Sequence, residues 1–293
     1  MTQNKNASSF ELWFQTKSGK SIPTTCSGSF IYNKEEEPQG ILYTAKNISL
    51  IKETEQKLIE KNKELDTFVY KSSHDLKGPL SSIIGLTNIA DMELTDPVAL
   101  QYFGLIRQSA ERLQNILVDL SELARLRNSA HKVTQVDLKQ IIQTVLENYL
   151  IDSSLKKEID FEIELHETPL FFSNDKIIRS IIQNLIDNAI KYRKRHGNIK
   201  PHISIKLLSN KKGDIKFVIS DNGLGIRADK VSKVFDMFLR ATETSKGTGL
   251  GLYIVKTSVH KLNGKIHLES IEGKGSTFTL KLPSLEEIKE QAQ

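Results

Sequence analysis

One cysteine, one tryptophan and no long apolar run mark this chain by what it lacks. A single Cys26 cannot form an internal disulfide, so the fold rests on a packed core, and a reducing compartment is expected. No run of apolar residues approaches the ~20 needed to cross a bilayer, and the polar start "MTQNKNASS" does not read as a signal peptide. A cytoplasmic chain with no membrane segment is the expectation. Charge of one sign is also scarce. Lys and Arg number 41 against 36 Asp and Glu, a net of +5, and the excess is dispersed apart from a small cluster in "KYRKRHGNIK" at 191–200. That is too weak for nucleic acid as a partner, and a solvated loop is the plainer reading of the cluster. What is present is ordinary for a globular protein: 293 residues, enough for two or three domains, with 38% hydrophobic and 26% charged residues.

Periodicity divides the chain. From Phe10 to Ile48 short alternating runs ("FELWFQ", "SGSFIY", "GILYTAKNI") are separated by "KSGK" and "NKEEEPQG", as antiparallel strands with polar turns require. After Leu50 the alternation stops, and Ile51, Leu58 and Leu65 recur at heptad spacing among charged residues. A second seam runs through Tyr102, Ile106, Ser109, Leu113, Ile116, Leu120 and Leu123. Two helices joined at "LTDP", 94–97, form an antiparallel hairpin, and two hairpins packing as a four-helix bundle would hide both stripes. From Val136 to Pro283 helical and strand patterns mix, which predicts an α/β sandwich. The expected organisation is multidomain α+β: strands over 1–50, a coiled-coil linker and hairpin over 51–130, the sandwich over 131–285 and a polar tail over 286–293.

On the first of these helices, "SSHDLKGPL" at 72–80 places His74 beside Asp75, two residues off the seam and so outward. A neutral imidazole nitrogen is a nucleophile, and a carboxylate on the other nitrogen fixes the tautomer and accepts charge as the ring attacks. Gly78 and Pro79 are poor helix formers, so a bend is expected there; the plainer alternative is a surface histidine beside an Asp that caps a second helix.

Further along, "IIRSIIQNLIDNAIKY" at 177–192 has one apolar half, while Asn184, Asn188 and Lys191 line up on the other. An amide oxygen suits Mg²⁺ and a lysine one turn on suits phosphate. In "ISDNGLGI", Asp221 follows a strand and can accept from an exocyclic amine, while Gly223 and Gly225 let backbone approach a base. In "SKGTGLGLYIVK", the amides of Gly247, Thr248, Gly249, Leu250 and Gly251 gather before an apolar helical run, where an anion is favoured. Each glycine cluster alone is weak, and neither fits GxxxxGK[ST]. Together they describe a nucleotide site.

The ordered set "SSHDLKGPL", "NLIDNAIKY", "DNGLGI", "FDMFLRAT" and "KGTGLGLYIVK" resembles the H, N, G1, F and G2 boxes of the sensor histidine kinases of two-component systems, over residues 53 to 283. The resemblance implies a dimeric hairpin bearing phospho-acceptor His74 with Asp75 beside it, and a Bergerat-type ATP-binding domain. It implies ATP and Mg²⁺, with Asn188 on the metal, Asp221 on the adenine amino group, and Tyr192 walling the base pocket. It also implies a lid over 226–246, from Ile226 through Phe235, Phe238 and Arg240 to Lys246, with Thr277 in "GKGSTF" supporting the adenine contact. A homodimer and a separate response regulator carrying a receiver domain are the implied partners. Where relatives that also dephosphorylate their regulators usually carry Thr or Asn, this chain has Gly78, which implies a weak phosphatase. The stretch "GILYTAKNIS" is similar to the closing strand and exit signal of a PAS sensor domain.

Overall fold

A computed structural model describes residues 9–128, 132–151, 153–167, 169–194, 199–210, 213–239 and 247–285. The chain divides into two compact units, Met1–Thr67 and Phe68–Gln293, with the boundary inside one long helix.

In the first unit, β1 (Phe10–Gln15), β2 (Ser21–Tyr32) and β3 (Pro38–Asn47) form an antiparallel sheet in that order. The first turn closes through Gly19 at φ +82°, and the second through Asn33, whose side chain accepts from the amides of Glu35 and Glu37. Pairing of Phe10 with Cys26, and of Cys26 with Ala45, puts the alternate residues Phe10, Leu12 and Phe14 on one face with Cys26. Cys26 itself is buried, as ordinary strand packing requires, while most other apolar side chains of this sheet are exposed. Asn47 accepts from the Ser49 amide at the start of α1 (Ser49–Glu93), and Ile51, Leu58 and Leu65 stand exposed along it at their heptad spacing.

The second unit begins with the rest of α1 and with α2 (Pro97–Asn128), whose first turn is capped by Asp96 accepting from Val98. These form the expected hairpin. Leu80, Ala110 and Leu117 are its buried contact, with Ile84 packed against them. Arg107 donates to Asp91 and to Asn88, and Gln114 donates to Ser81 at 3.4 Å, which fixes the register. The upper part of the α2 seam, Tyr102, Ile106 and Leu113, is left exposed.

Gly78 and Pro79, where a bend is expected, do not end the helix. Residues 49–93 are one α-helix with Pro79 inside it, so Asp75 is not the cap of a second helix. Proline removes the bond from its own nitrogen to the carbonyl of Asp75. That carbonyl belongs to an exposed residue, so water can satisfy it and the helix continues.

The sandwich comprises a short ladder of β4 (Thr134–Gln135) with β6 (Phe172–Ser173) and a five-stranded sheet. Helices α3 (Leu138–Leu150) and α4 (Ser153–Glu158) precede β5 (Asp160–Leu165), and α5 (Asp175–Lys191) precedes β7 (His202–Ser209) and β8 (Ile215–Asp221). The short α6 (Ala228–Val231), α7 (Gly251–Lys261), β9 (Lys265–Ile271) and β10 (Gly275–Leu282) complete it. Strand order is β5-β7-β8-β10-β9, with β5 and β7 parallel and the other pairs antiparallel.

Asn174 caps α5 by accepting from Ile177 at 3.1 Å. The helix then buries Ile178, Ile181, Ile182, Leu185 and Ile186 against Ile203, Ile205 and Leu207 of β7 and Phe217 and Ile219 of β8. Each such side chain contributes roughly 1.5–3 kcal/mol by leaving water. This stripe fixes the rotation of α5, and thereby turns its polar face outward. On the sheet's opposite side, Lys206 meets Glu164 at 2.7 Å and His202 meets Asp160 at 2.8 Å. Such exposed pairs are worth little to stability.

Candidate functional site

The polar face of α5 forms the floor of a cleft of about 1110 Å³. Asn184, Asn188 and Lys191 line it together, as their spacing predicts, with Asp187 between them. The Asn184 amide nitrogen donates to the Ser180 carbonyl at 2.9 Å, which leaves its oxygen for the cleft. The buried Nδ2 of Asn188 has no partner among the described residues.

Asp221, at the end of β8, marks one end. Its carboxylate accepts from the Gly223 amide at 2.8 Å and from the Ser276 amide. Burial outweighs these bonds and pushes the carboxyl up to about 6 from the ordinary 3.8. The turn that follows is strapped to its neighbours: Leu224 donates to the Tyr192 carbonyl at 3.0 Å, and Ile226 to the Ser270 hydroxyl at 2.9 Å. Gly225 has φ +63°, and a Cβ there would lie 1.9 Å from the Ile271 carbonyl oxygen, so glycine is obligatory. Gly225 and Ile226 line the cleft, and Tyr192, the residue that caps α5, forms part of its wall.

The other end is built by Gly247, Thr248, Gly249 and Gly251 at the start of α7. Gly249 has φ +77°, and a Cβ there would meet the Phe238 carbonyl carbon at 2.7 Å. The Lys191 ammonium lies so close to Gly247 that a Cβ on that glycine would come within 2.1 Å of it, and the same ammonium stands 5.1 Å from the Tyr192 ring centroid. Leu250, fully buried, faces away from the cleft and packs on Leu123 of α2.

One expectation is corrected. Thr277 is not on the cleft: its hydroxyl bonds to Ser220 on the paired strand, and the neighbouring Ser276 is what reaches Asp221. Phe238 stands exposed at φ +63° beside Gly249, while Val234 and Leu239 supply the apolar lining from that segment. Arg240 and Lys246 lie outside the described residues.

His74 is exposed on α1, its Nδ1 3.3 Å from Asp75 Oδ1, with side chains 76% and 80% accessible. It is not among the residues lining the cleft. The cross-hairpin pairs Ser81 with Gln114 and Asn88 with Arg107 put it, by the same antiparallel register, across from Ser121, close to the level of Asp119.

Several cleft residues carry no sequence signal. Arg112, Asn115 and Asp119 come from the hairpin, and Tyr149 from α3. Tyr149 donates to Asp187 and accepts from Gln183, and burial together with Asp187 raises its phenol well above the ordinary range. Asp119 accepts from the Thr248 hydroxyl, and its carboxyl is raised chiefly by burial.

Oxygen donors on Asn184, Asp187 and Asn188 suit a hard cation completed by phosphate oxygens and water. No group of three or more His, Cys, Asp or Glu that could hold a metal alone occurs among the described residues. The arrangement therefore fits a ligand with a hydrogen-bond donor at the Asp221 end and a metal-paired anion at the Lys191 end.

A cleft lined by α5, the glycine turns and the hairpin thus lies in the same unit as an outward histidine. Comparison with known proteins identifies both parts. Residues 64–129 match the family described as "His Kinase A (phospho-acceptor) domain", and residues 173–286 match "Histidine kinase-, DNA gyrase B-, and HSP90-like ATPase". The chain belongs to the sensor histidine kinases. It is 30% identical over 241 residues to the sensor protein kinase WalK of Staphylococcus haemolyticus, covering 78% of this chain and 38% of that protein. It is 28% identical over 244 residues to the sensor protein GacS of Pseudomonas syringae pv. syringae, covering 80% of this chain and 27% of that protein. The chain thus spans well under half the length of these two relatives. Full-length ShkA, solved with AMPPNP, shares the fold at TM-score 0.58 and 21% identity over 74% of this chain and 45% of that one. The histidine kinase AdeS of Acinetobacter baumannii does so at TM-score 0.50 and 24% identity, over 73% of this chain and 98% of that one. No described helix is long and apolar enough to cross a membrane.

Proposed function

We propose that this chain is an ATP-dependent protein histidine kinase that phosphorylates itself on His74 and passes the phosphoryl group to an aspartate of a separate response regulator. The observation that carries this reading is the union of the two parts: the hairpin bearing His74 also supplies one wall of the cleft holding Asn188, Lys191 and Asp221.

In this reading the adenine amino group donates to Asp221 and Tyr192 walls the base. Lys191 and the amides of residues 247–251 meet the phosphates. Asn188, with Asn184 beside it, would hold Mg²⁺, which when bound neutralises phosphate oxygens. Asp75 accepts from Nδ1–H and fixes the tautomer that leaves Nε2 as nucleophile. Nε2 attacks the γ-phosphorus in line, the bond to the bridging β,γ oxygen breaks, and ADP leaves. The positive charge arising on the ring is balanced by Asp75, which takes up the Nδ1 proton. A homodimer, supported by the exposed ridge of Tyr102, Ile106 and Leu113, completes the bundle, and β1–β3 are the closing strands of a PAS-type sensor domain. The single cysteine suits a cytoplasmic setting. A chase tests the transfer: adding a receiver domain to the labelled chain should move the label to the receiver, and retention on the chain would refute it.

Two results follow from the geometry. Gly249→Ala forces a Cβ into the left-handed region against Phe238, so the loop must shift. Nucleotide affinity should fall about tenfold, with a stability loss of about 1–2 kcal/mol; an unaltered dissociation constant by calorimetry would count against the loop's role. The second concerns pH. Asp221 must be ionised to accept from adenine, and its carboxyl titrates at about 6. Adenosine affinity should therefore be flat at neutral pH and fall as pH drops through about 6, and Asp221→Asn should abolish that limb. The sign for folding is separate. Because the folded value lies above 3.8, this group's contribution to stability declines as pH rises from about 4 to about 6. A flat binding profile from pH 5 to 8 in the unaltered chain would contradict the assignment.

A further inference from the structure

We propose that Asp119 of the hairpin is an anionic stop at the phosphate end of the cleft, so that the docked hairpin and a bound triphosphate weaken each other. The proposal rests on the nucleotide reading above and concerns a residue outside all five motifs.

Four observations converge on it. First, the single proton of the Thr248 hydroxyl is donated to Asp119 Oδ2, while the hydroxyl oxygen accepts from the Leu250 amide at 3.2 Å. A hydroxyl committed in this way has no proton left for a phosphate oxygen. Second, Asp119 lines the same cleft as Lys191 and Asp187 and interacts electrostatically with both. It therefore stands among the groups that would receive the phosphates. Third, its carboxyl is raised, mainly by burial and further by Glu122 and Asp187, with Thr248 and Lys191 opposing. The charge is thus poorly compensated, and bringing several phosphate charges beside it costs more.

Fourth, the contact is held from both sides. Ile116, Leu120 and Leu123 of α2 pack on Leu250, Tyr253 and Ile254 at the start of α7. Lys261, at the end of α7, donates to the carbonyl of Leu126 and, at 3.4 Å, to that of Arg127; Arg127 in turn donates to the Tyr253 hydroxyl at 3.4 Å. Lys261 of the ATPase domain thereby caps the last turn of α2. Apolar packing and this cap hold α2 on α7 and deliver Asp119 to Thr248. Entry of a triphosphate at residues 247–251 then requires Asp119 to withdraw, and withdrawal frees the hairpin surface.

A metal-binding role for the same carboxylate makes the opposite prediction, so the sign of one effect decides. Binding of adenosine, Mg·ADP and Mg·AMPPNP is measured by calorimetry on the full chain, on Asp119→Asn and on Leu123→Gln. Asp119→Asn removes the charge, and Leu123→Gln weakens the apolar contact that delivers it. Both should bind Mg·AMPPNP roughly tenfold more tightly, with a smaller gain for Mg·ADP and none for adenosine. Weaker binding in Asp119→Asn, or unchanged binding in both variants, would overturn the proposal. If Asp119→Asn does not fold, Leu123→Gln alone decides by the same criterion. Failure of the unaltered chain to bind any of the three would instead overturn the nucleotide reading, and the stop with it.

Discussion

A chain carrying His74→Gln should lose its protein-bound phosphate to background while binding Mg·ADP within about twofold of the unaltered chain. Glutamine keeps a polar side chain of similar reach but has no ring nitrogen to attack phosphorus. The fold should be indifferent, because the imidazole is 76% accessible and its polar contact among the described residues is an exposed 3.3 Å approach to Asp75. The effect is large because no rate remains when the nucleophile is gone. Label persisting on the variant would show that another residue is the acceptor.

Asn188→Asp should be nearly as severe by a different route. The substitution keeps shape but places a carboxylate where the α5 amide faces the cleft, beside Lys191 and Asp187. A fixed negative charge there repels the triphosphate and alters the ligand set of the metal, so autophosphorylation should fall by about two orders of magnitude. The buried Nδ2 has no partner among the described residues, so the new oxygen gains none. A thermal midpoint lower by a few degrees is expected, with unfolding still cooperative. The decisive readout is the dependence on Mg²⁺ concentration, and a variant with the original dependence would remove Asn188 from the metal.

Much of this site was legible in the sequence because its parts are local. Asn184, Asn188 and Lys191 share a helix face, and the isoleucine stripe opposite them sets which way that face turns. Gly225 and Gly249 stand where a Cβ would strike backbone, and turn glycines of that kind are visible as letters. The hairpin was legible for the same reason, since heptads report which residues share a side.

Other features could not be read. Thr248 meets Asp119 across 129 residues, and Tyr149 meets Asp187 across 38. No periodicity within one element signals a contact between two, so the hairpin wall and the tyrosine were missed. Around Pro79 the letters left open whether a second helix starts after Asp75; on an exposed turn of a 45-residue helix water can compensate for the lost hydrogen bond, and the helix continues. Thr277 and Ser276 differ by one position, and in a strand that flips a side chain to the opposite face. The residue that reaches Asp221 does so through its backbone amide, which no side-chain motif reports.

The most direct test follows the fate of the terminal phosphate in the unaltered chain. ATP labelled at the γ position and, separately, at the α position is incubated with the protein and Mg²⁺, and label on the protein is compared with free inorganic phosphate. A histidine kinase should take label from the γ position alone, on one site mapping to His74, stable in base and lost in acid. Steady release of inorganic phosphate with an unlabelled protein would make this chain a hydrolytic ATPase and contradict the account.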